Sequence, residues 1–314
     1  MRGVLFAFAL IVTPVATSAQ VTDTTAIVED VVVTAARSGA PIWRIETPGG
    51  EVILVGSIRA IQADVRWRPA ALAAAVSRAD RIIMSQTATM GLGDYLRLRR
   101  NRARLPEGLT LEDAIDPGLR ARLSVLETRF RRNYTGRGLT YIAQDLLNRL
   151  DYEDNIGPSV SGAVERAAAD SEREVVRVGD LNARTADENV RSLDRTHIQC
   201  LDAAIRAAES GIDGVARRSA AWATGDIPSV LSSPLEQALD RCAFFGDEAL
   251  QHQARLQWHD ALSTALTQDG VTLIVVSLPI AAEPSGLLDQ ATEAGFTITG
   301  PAWREEAQGL GNRE

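Results

Sequence analysis

Hydrophobic and polar positions follow three rhythms along this chain, and the changes of rhythm divide it. Between Pro41 and Ser57, two apolar runs, "IWRI" and "VILV", flank Thr47-Pro48-Gly49-Gly50, which predicts a β-hairpin. Residues 66–80 then place Leu72, Ala75, Val76 and Ala79 on one helical face, with Pro69 in the first turn. "RIIMSQ", residues 81–86, reads as a buried strand. Strand, helix, strand in this order predicts parallel pairing and an α/β core. The middle of the chain turns to helical period in "GDYLRLRRNRARL" (93–105), "PGLRARLSVLETRFRR" (117–132) and "LTYIAQDLLNRL" (139–150). The arginine clusters there alternate with acids and read as solvated faces. A short helix over Gly162 to Asp170 and a strand in "REVVRVGD" (173–180) come next. A long helical stretch through Cys200 and Cys242 is broken at "ATGDIPS" (223–229).

Near the C-terminus the pattern sharpens. Leu250, Ala254, Trp258, Leu262 and Leu266 recur at four-residue steps and predict one packed helix face. "GVTLIVVS" (270–277) is a continuous apolar run suited to a strand covered on both faces. "GLLDQATEAG" (286–295) reads as a helix stopped by Gly295, and "FTITG" as a last strand. The fold class that follows is α/β: a central mixed, partly parallel sheet flanked by helices. A helical insert, about residues 91–268, separates its N- and C-terminal α/β parts.

Composition changes this picture at a few points. Hydrophobic residues make up 45% of the 314, enough for a sizeable core. The net charge of −8 argues against nucleic acid as a partner. No lysine occurs, so all 33 basic residues are arginine. Residues 1–19 read as an export signal: Arg2, an apolar stretch from Val4 to Val12, and Thr17-Ser18-Ala19 as a cleavage site. Periplasmic localisation is the expectation, with no transmembrane segment once the signal is cleaved. Residues 20–40 read as a linker and 304–314 as a tail. In an oxidising compartment the only two cysteines, Cys200 and Cys242, are expected to pair. Closing that loop is worth ~4 kcal/mol in the chain-entropy model.

The chemistry-bearing positions cluster at strand ends. "EVILVGSIRAIQ" (51–62) lifts a side chain off a strand, and that side chain is Arg59. The pieces "PIWRIETPGGEVILVGSI", "WRPAALAAAVSRADRIIM", "LPEGLTLEDAI", "AAWATGDI", "QARLQWHDAL" and "GVTLIVVSLPIAAEPSGLLDQATEAGFTITG" stand in an order that resembles the TraB/GumN family, related to the Tiki metalloproteases. The resemblance spans Pro41 to Trp303. It implies a site in which His and Glu groups at strand ends hold a divalent metal that activates water.

At those positions this chain carries other residues. Arg59 stands in the place of the first His, Ser85 in the place of the Glu, and Ser277 and Ile280 in a turn that loses its Gly and His. On the helix, Arg255 and Trp258 match the family but Leu256 replaces an Asn, and Glu165 corresponds to an acidic position. A guanidinium has no lone pair for a metal and adds repulsion. His197, His252 and His259 do not rebuild a shell; the spacing of seven between the last two is too long for a compact ligand pair.

The resemblance therefore implies a scaffold that has lost metal-dependent hydrolysis and serves as a cell-envelope binding or accessory protein, with no cofactor. Arg59 and Arg255 are the candidates for binding a small anion. Arg59 paired with a local acid such as Asp64 is the plainer reading of that residue. Two alternatives stay open. One is a hydrolase rebuilt from Arg59, Glu165 and Arg255. The other is an envelope-protein partner in a TonB-dependent system, since "EDVVVTAAR" (29–37) resembles a segment of the plug region of TonB-dependent receptors.

Overall fold

A computed structural model describes residues 38–89, 104–151, 156–182 and 195–305, together with positions 92, 93, 96 and 100. The export signal, most of the linker with its "EDVVVTAAR" segment, most of the 93–105 stretch and most of the tail lie outside the described residues.

The hairpin forms as its pattern predicts. Strand β1 (Ile42–Thr47) pairs antiparallel with β2 (Gly50–Ser57) around the Pro48-Gly49 turn. Helix α1 (Pro69–Val76) is shorter than residues 66–80. Its exit is pulled straight because Asp80 pairs with Val271 twice, its amide to the Val271 carbonyl at 3.0 Å and its carboxylate to the Val271 amide at 2.7 Å. Strands β3 (Arg81–Met84) and β4 (Thr87–Thr89) follow, then α2 (Leu111–Ala114), α3 (Pro117–Phe130), α4 (Leu139–Asp151) and α5 (Val160–Asp170). The stretch read as one strand at 173–180 is divided. Strand β5 (Val175–Arg177) joins the main sheet, and β6 (Asp180–Asn182) pairs with β4 in a separate two-stranded ribbon.

Beyond these lie α6 (Arg195–Thr224), α7 (Ile227–Leu231), α8 (Pro234–Arg241), a 3-10 turn (Ala243–Gly246) and α9 (Glu248–Ala265). Strand β7 (Gly270–Ser277), α10 (Leu278–Ala282), α11 (Leu287–Glu293) and β8 (Ile298–Thr299) are the last elements among the described residues. Gly295, at φ 85°, follows α11 as its pattern predicts.

The main sheet runs β5-β3-β7-β2-β1-β8. β2, β7, β3 and β5 are parallel; β1 pairs antiparallel with β2 and with β8, the edge strand beyond it. The strand–helix–strand expectation holds for direction but not for adjacency. β7, almost 200 residues later in sequence, inserts between β2 and β3. Its run from Val271 to Val276 is buried throughout. β2 and β7 also approach closely at their start, where a Cβ on Gly50 would lie 2.1 Å from the Gly270 carbonyl oxygen.

Two hydrophobic cores result. One covers the sheet and takes in α1, α5, Trp222, Trp258 and Leu262. The other is all-helical and draws on Leu111 to Leu150, Cys200 to Val215 and Leu235 to Cys242. The helical insert is therefore discontinuous: α5, β5 and α9 fall inside 91–268 but pack on the sheet. Helix α6 serves both cores because Gly211 breaks it, with φ 61° and ψ −161°. A non-glycine residue would be strained there. Residues before Gly211 bury Cys200, Leu201, Ala204 and Ala208 in the helical core, and residues after it carry Arg218, Ser219 and Trp222 to the sheet. The disulfide Cys200–Cys242 joins α6 to the end of α8, with Cα atoms 4.9 Å apart. No described helix is long and apolar enough to cross a membrane.

Candidate functional site

Parallel strands β2, β7 and β3 all end on the same side of the sheet, so the residues just beyond them meet. Ser57 and Ser277 are register partners at that end, and Ser85 follows Met84 on the next strand. Above them lies a cavity of about 400 Å³. A cleft beyond the carboxyl ends of parallel strands is the usual ligand position in open α/β sheets.

Five of the six positions singled out in the sequence reach this cavity: Arg59, Ser85, Arg255, Ser277 and Ile280. Glu165 is not among its lining residues. It sits on α5, about half exposed, with Arg177 Nη2 at 2.9 Å from its Oε1. The rebuilt triad of Arg59, Glu165 and Arg255 is thus not assembled around the cavity. The histidines lie elsewhere. His197 is buried beside Gly246 and Cys200, His252 is exposed, and His259 Nδ1 lies 2.6 Å from Gln290 Oε1.

Arg59 is exposed at the cavity and donates to Asn148 Oδ1 at 3.3 Å. Arg255 is held by two acids: its Nε donates to Glu283 Oε1 at 2.6 Å, and its Nη2 donates to Asp240 Oδ1 at 2.9 Å and to Glu283 Oε2 at 3.1 Å. The anion expected at Arg255 would therefore meet a guanidinium whose Nε and Nη2 already donate to acids. Two carboxylates already use that charge-assisted donor face. Burial pushes the Asp240 carboxyl above its ordinary value, Arg255 opposes that, and Glu283 adds to it.

The turn that carries Arg59 is positioned from the second half of α6. Arg218 is fully buried there. Its Nη1 donates to Glu236 Oε2 at 2.6 Å, and its Nη2 donates to the Arg59 carbonyl and, at 3.1 Å, to the Ala60 carbonyl. Trp222 Nε1 donates to the Gly56 carbonyl at 2.9 Å, and Ser219 Oγ accepts from the Gln62 amide at 3.3 Å. Gly56 is tightly enclosed: a Cβ there would lie 2.6 Å from Leu278 Cδ1 and 2.9 Å from the buried Trp43 ring, so both side chains would have to shift. Arg218 escaped the sequence reading although one signal was available. It falls on the apolar stripe that Val215 and Trp222 define, where an arginine needs a buried partner.

The far wall comes from α8 and the turn after it. Leu239, Asp240, Ala243 and Phe244 line the cavity. Phe244 and Phe245 both adopt left-handed backbone, at φ 49° and 63°, unusual for bulky side chains. The disulfide at Cys242 anchors one end of this turn, and Asp247, which caps α9 by accepting from the Leu250 amide at 3.0 Å, anchors the other.

Arg59, Ser85, Arg255, Ser277 and Ile280 do not fit a divalent metal, and the two lining carboxylates, Glu236 and Asp240, are each paired with an arginine. Guanidiniums repel it, a neutral serine hydroxyl binds it weakly, and an isoleucine offers no donor atom. Among the described residues, no group of three His, Cys, Asp and Glu side chains is arranged to hold one. Against known proteins, the model of the family described as TraB/PrgY/gumN matches residues 41–300. No curated protein and no solved structure matches the chain.

Proposed function

The chain belongs to the TraB/PrgY/gumN family, and from that premise we propose that it is an exported cell-envelope binding or accessory protein whose cleft holds a small ligand without metal-dependent hydrolysis. One observation carries this reading. Arg59, Ser85, Arg255, Ser277 and Ile280 meet at a single cavity, yet as a set they supply no ligand shell. The scaffold keeps its cleft while the side chains facing it have changed chemistry. A cleft of this size at the strand ends, walled by apolar side chains, suits a small molecule.

Elemental analysis of the purified mature chain tests the loss of the metal. The expected result is no stoichiometric transition metal. About one chelator-removable metal ion per chain would overturn the reading. Export is tested by N-terminal sequencing of the periplasmic fraction, with Gln20 expected as the first residue. Full-length chain retained in the cytoplasm would remove the envelope role.

A further inference from the structure

The polar groups around the cavity are largely spoken for. Glu236 is matched by buried Arg218 at 2.6 Å, and Asp240 and Glu283 share Arg255 at 2.9 and 2.6 Å. Among the neutral groups, Ser57 Oγ donates to the Val276 carbonyl at 2.9 Å, and Gln86 Nε2 donates to the Ala254 carbonyl at 2.8 Å. Gln251 Nε2 donates to the Arg241 and Ala243 carbonyls at 3.2 and 3.0 Å, and Ser159 Oγ accepts from the Gly162 amide at 3.1 Å.

Three lining hydroxyls differ. Ser85, Ser161 and Ser277 have no side-chain hydrogen bond among the described residues, and Ser277 does not use its hydroxyl to cap α10. Ile58, Leu239, Phe244, Trp258, Val275 and Ile280 supply an apolar wall.

A ligand that brought a full charge would give up hydration beside charges that are already paired, the buried Arg218 with Glu236 and the part-exposed Arg255 with Asp240 and Glu283, with no open counter-charge among them to offset the cost. A ligand with an apolar body would gain by burial, and a neutral head group would satisfy the open hydroxyls. From this accounting we infer that the cavity takes a small uncharged amphipathic molecule, with its apolar body against the Ile58–Phe244–Ile280 wall and its hydrogen-bonding head at Ser85, Ser161 and Ser277. The inference rests on the reading of the cleft as a ligand site and specifies its ligand. It replaces the anion expected from Arg59 and Arg255.

The test uses the mature chain and Nile red, an uncharged dye that brightens in apolar surroundings. Octanol, octanoate and octylamine then compete for the dye; they share one apolar body and differ only in head group. Octanol is expected to displace the dye at a concentration roughly tenfold or more below either charged analogue, a difference of about 1.4 kcal/mol. Ser277→Ala should weaken octanol several-fold and leave the charged competitors unchanged. Octanoate competing best would overturn the inference in favour of an anion, and octylamine competing best would overturn it in favour of a cation at the Asp240 wall. Either result would leave ligand binding itself standing. Absence of saturable dye binding would fall on the proposed function instead, as would dye binding unchanged in Ile280→Trp, a variant built to fill the cavity. Where Ile280→Trp does not fold, as judged by circular dichroism, Ala243→Leu serves the same purpose.

Discussion

Two Arg–Glu pairs, each with a buried glutamate, sit at opposite ends of β2, and they are built differently. At the starting end, Glu51 on β2 faces Arg44 on β1. The Glu51 side chain is 1% exposed, Arg44 is 28% exposed, and beyond this ion pair neither Glu51 oxygen accepts a hydrogen bond. Burial pushes the Glu51 carboxyl from about 4.5 up to about 7, against the pull of Arg44. At the cavity end, Arg218 and Glu236 are both buried, and the guanidinium also serves two carbonyls of the Arg59 turn, with its Nε alone lacking a hydrogen-bond partner. One pair is a poorly satisfied charge at a sheet margin. The other is a joint that ties the helical core to the cavity. Burial alone does not give an ion pair a structural role; the further partners it satisfies do.

Removing one partner at the cavity end should have the largest effect. Arg218→Met leaves Glu236 buried without its cation, removes the Arg218 bond to the Arg59 carbonyl, and leaves the Ala60 carbonyl only the Ser219 Oγ contact at 3.5 Å. A loss of about 3–5 kcal/mol in denaturant unfolding is expected. The double variant Arg218→Met, Glu236→Leu should recover much of it, because no unpaired charge remains. A loss below about 1 kcal/mol in the single variant would mean that Trp222 and Ser219 hold the turn by themselves.

The disulfide comes next, since it pins the helical core from which Glu236 projects. Cys200→Ala with Cys242→Ala is expected to cost about 2–4 kcal/mol. Mass spectrometry of unreduced, alkylated protein should find neither thiol labelled. Labelling of both would remove the bridge from the comparison.

The Glu51 end should reveal itself through pH. A carboxyl whose folded value is raised contributes stability below its unfolded value of about 4.5 and loses it as pH rises through about 7. The loss attributable to Glu51 is bounded at about 3–4 kcal/mol, from 1.36 kcal/mol per unit. Glu51→Gln should flatten this part of the profile and unfold at higher denaturant than wild type above neutral pH. Wild-type stability that climbs across the same window, with the Gln variant tracking it, would show that Glu51 is not the controlling group.

The smallest effect is expected at Ser219→Ala, which removes the acceptor of the Gln62 amide from the cavity joint. A loss of about 0.5–1.5 kcal/mol is expected for that bond. A much larger one would place more of the joint's strength in Ser219 than its 3.3 Å contact implies.

Much of the fold was legible because it is written in short range. The Pro48-Gly49 turn, the continuous apolar run of β7 and the stripe through Trp258 each depend on residues within one or two turns of each other. Arg59 was legible as a side chain lifted off a strand end, and Ser85, Ser277 and Ile280 as its companions through the family resemblance. Glu165 was not separable from the true lining residues, because helix period says which face is buried and not which neighbour that face meets.

What the chain alone determined was therefore local conformation, the α/β class and the identity of the side chains at each strand end. These follow from periodicity and turn chemistry, which act between near neighbours. Tertiary structure decided the insertion of β7 between β2 and β3, the two directions of α6 on either side of Gly211, and the charge state of the cavity wall. Arg255 meets Asp240 and Glu283 across 15 and 28 residues of sequence, and Arg218 reaches Arg59 across 159. Hydrogen bonds and ion pairs act over a few ångströms of space, whatever the sequence separation. Only the assembled sheet and its helices could place Arg255 between Asp240 and Glu283 and leave Arg59 exposed at the same cavity.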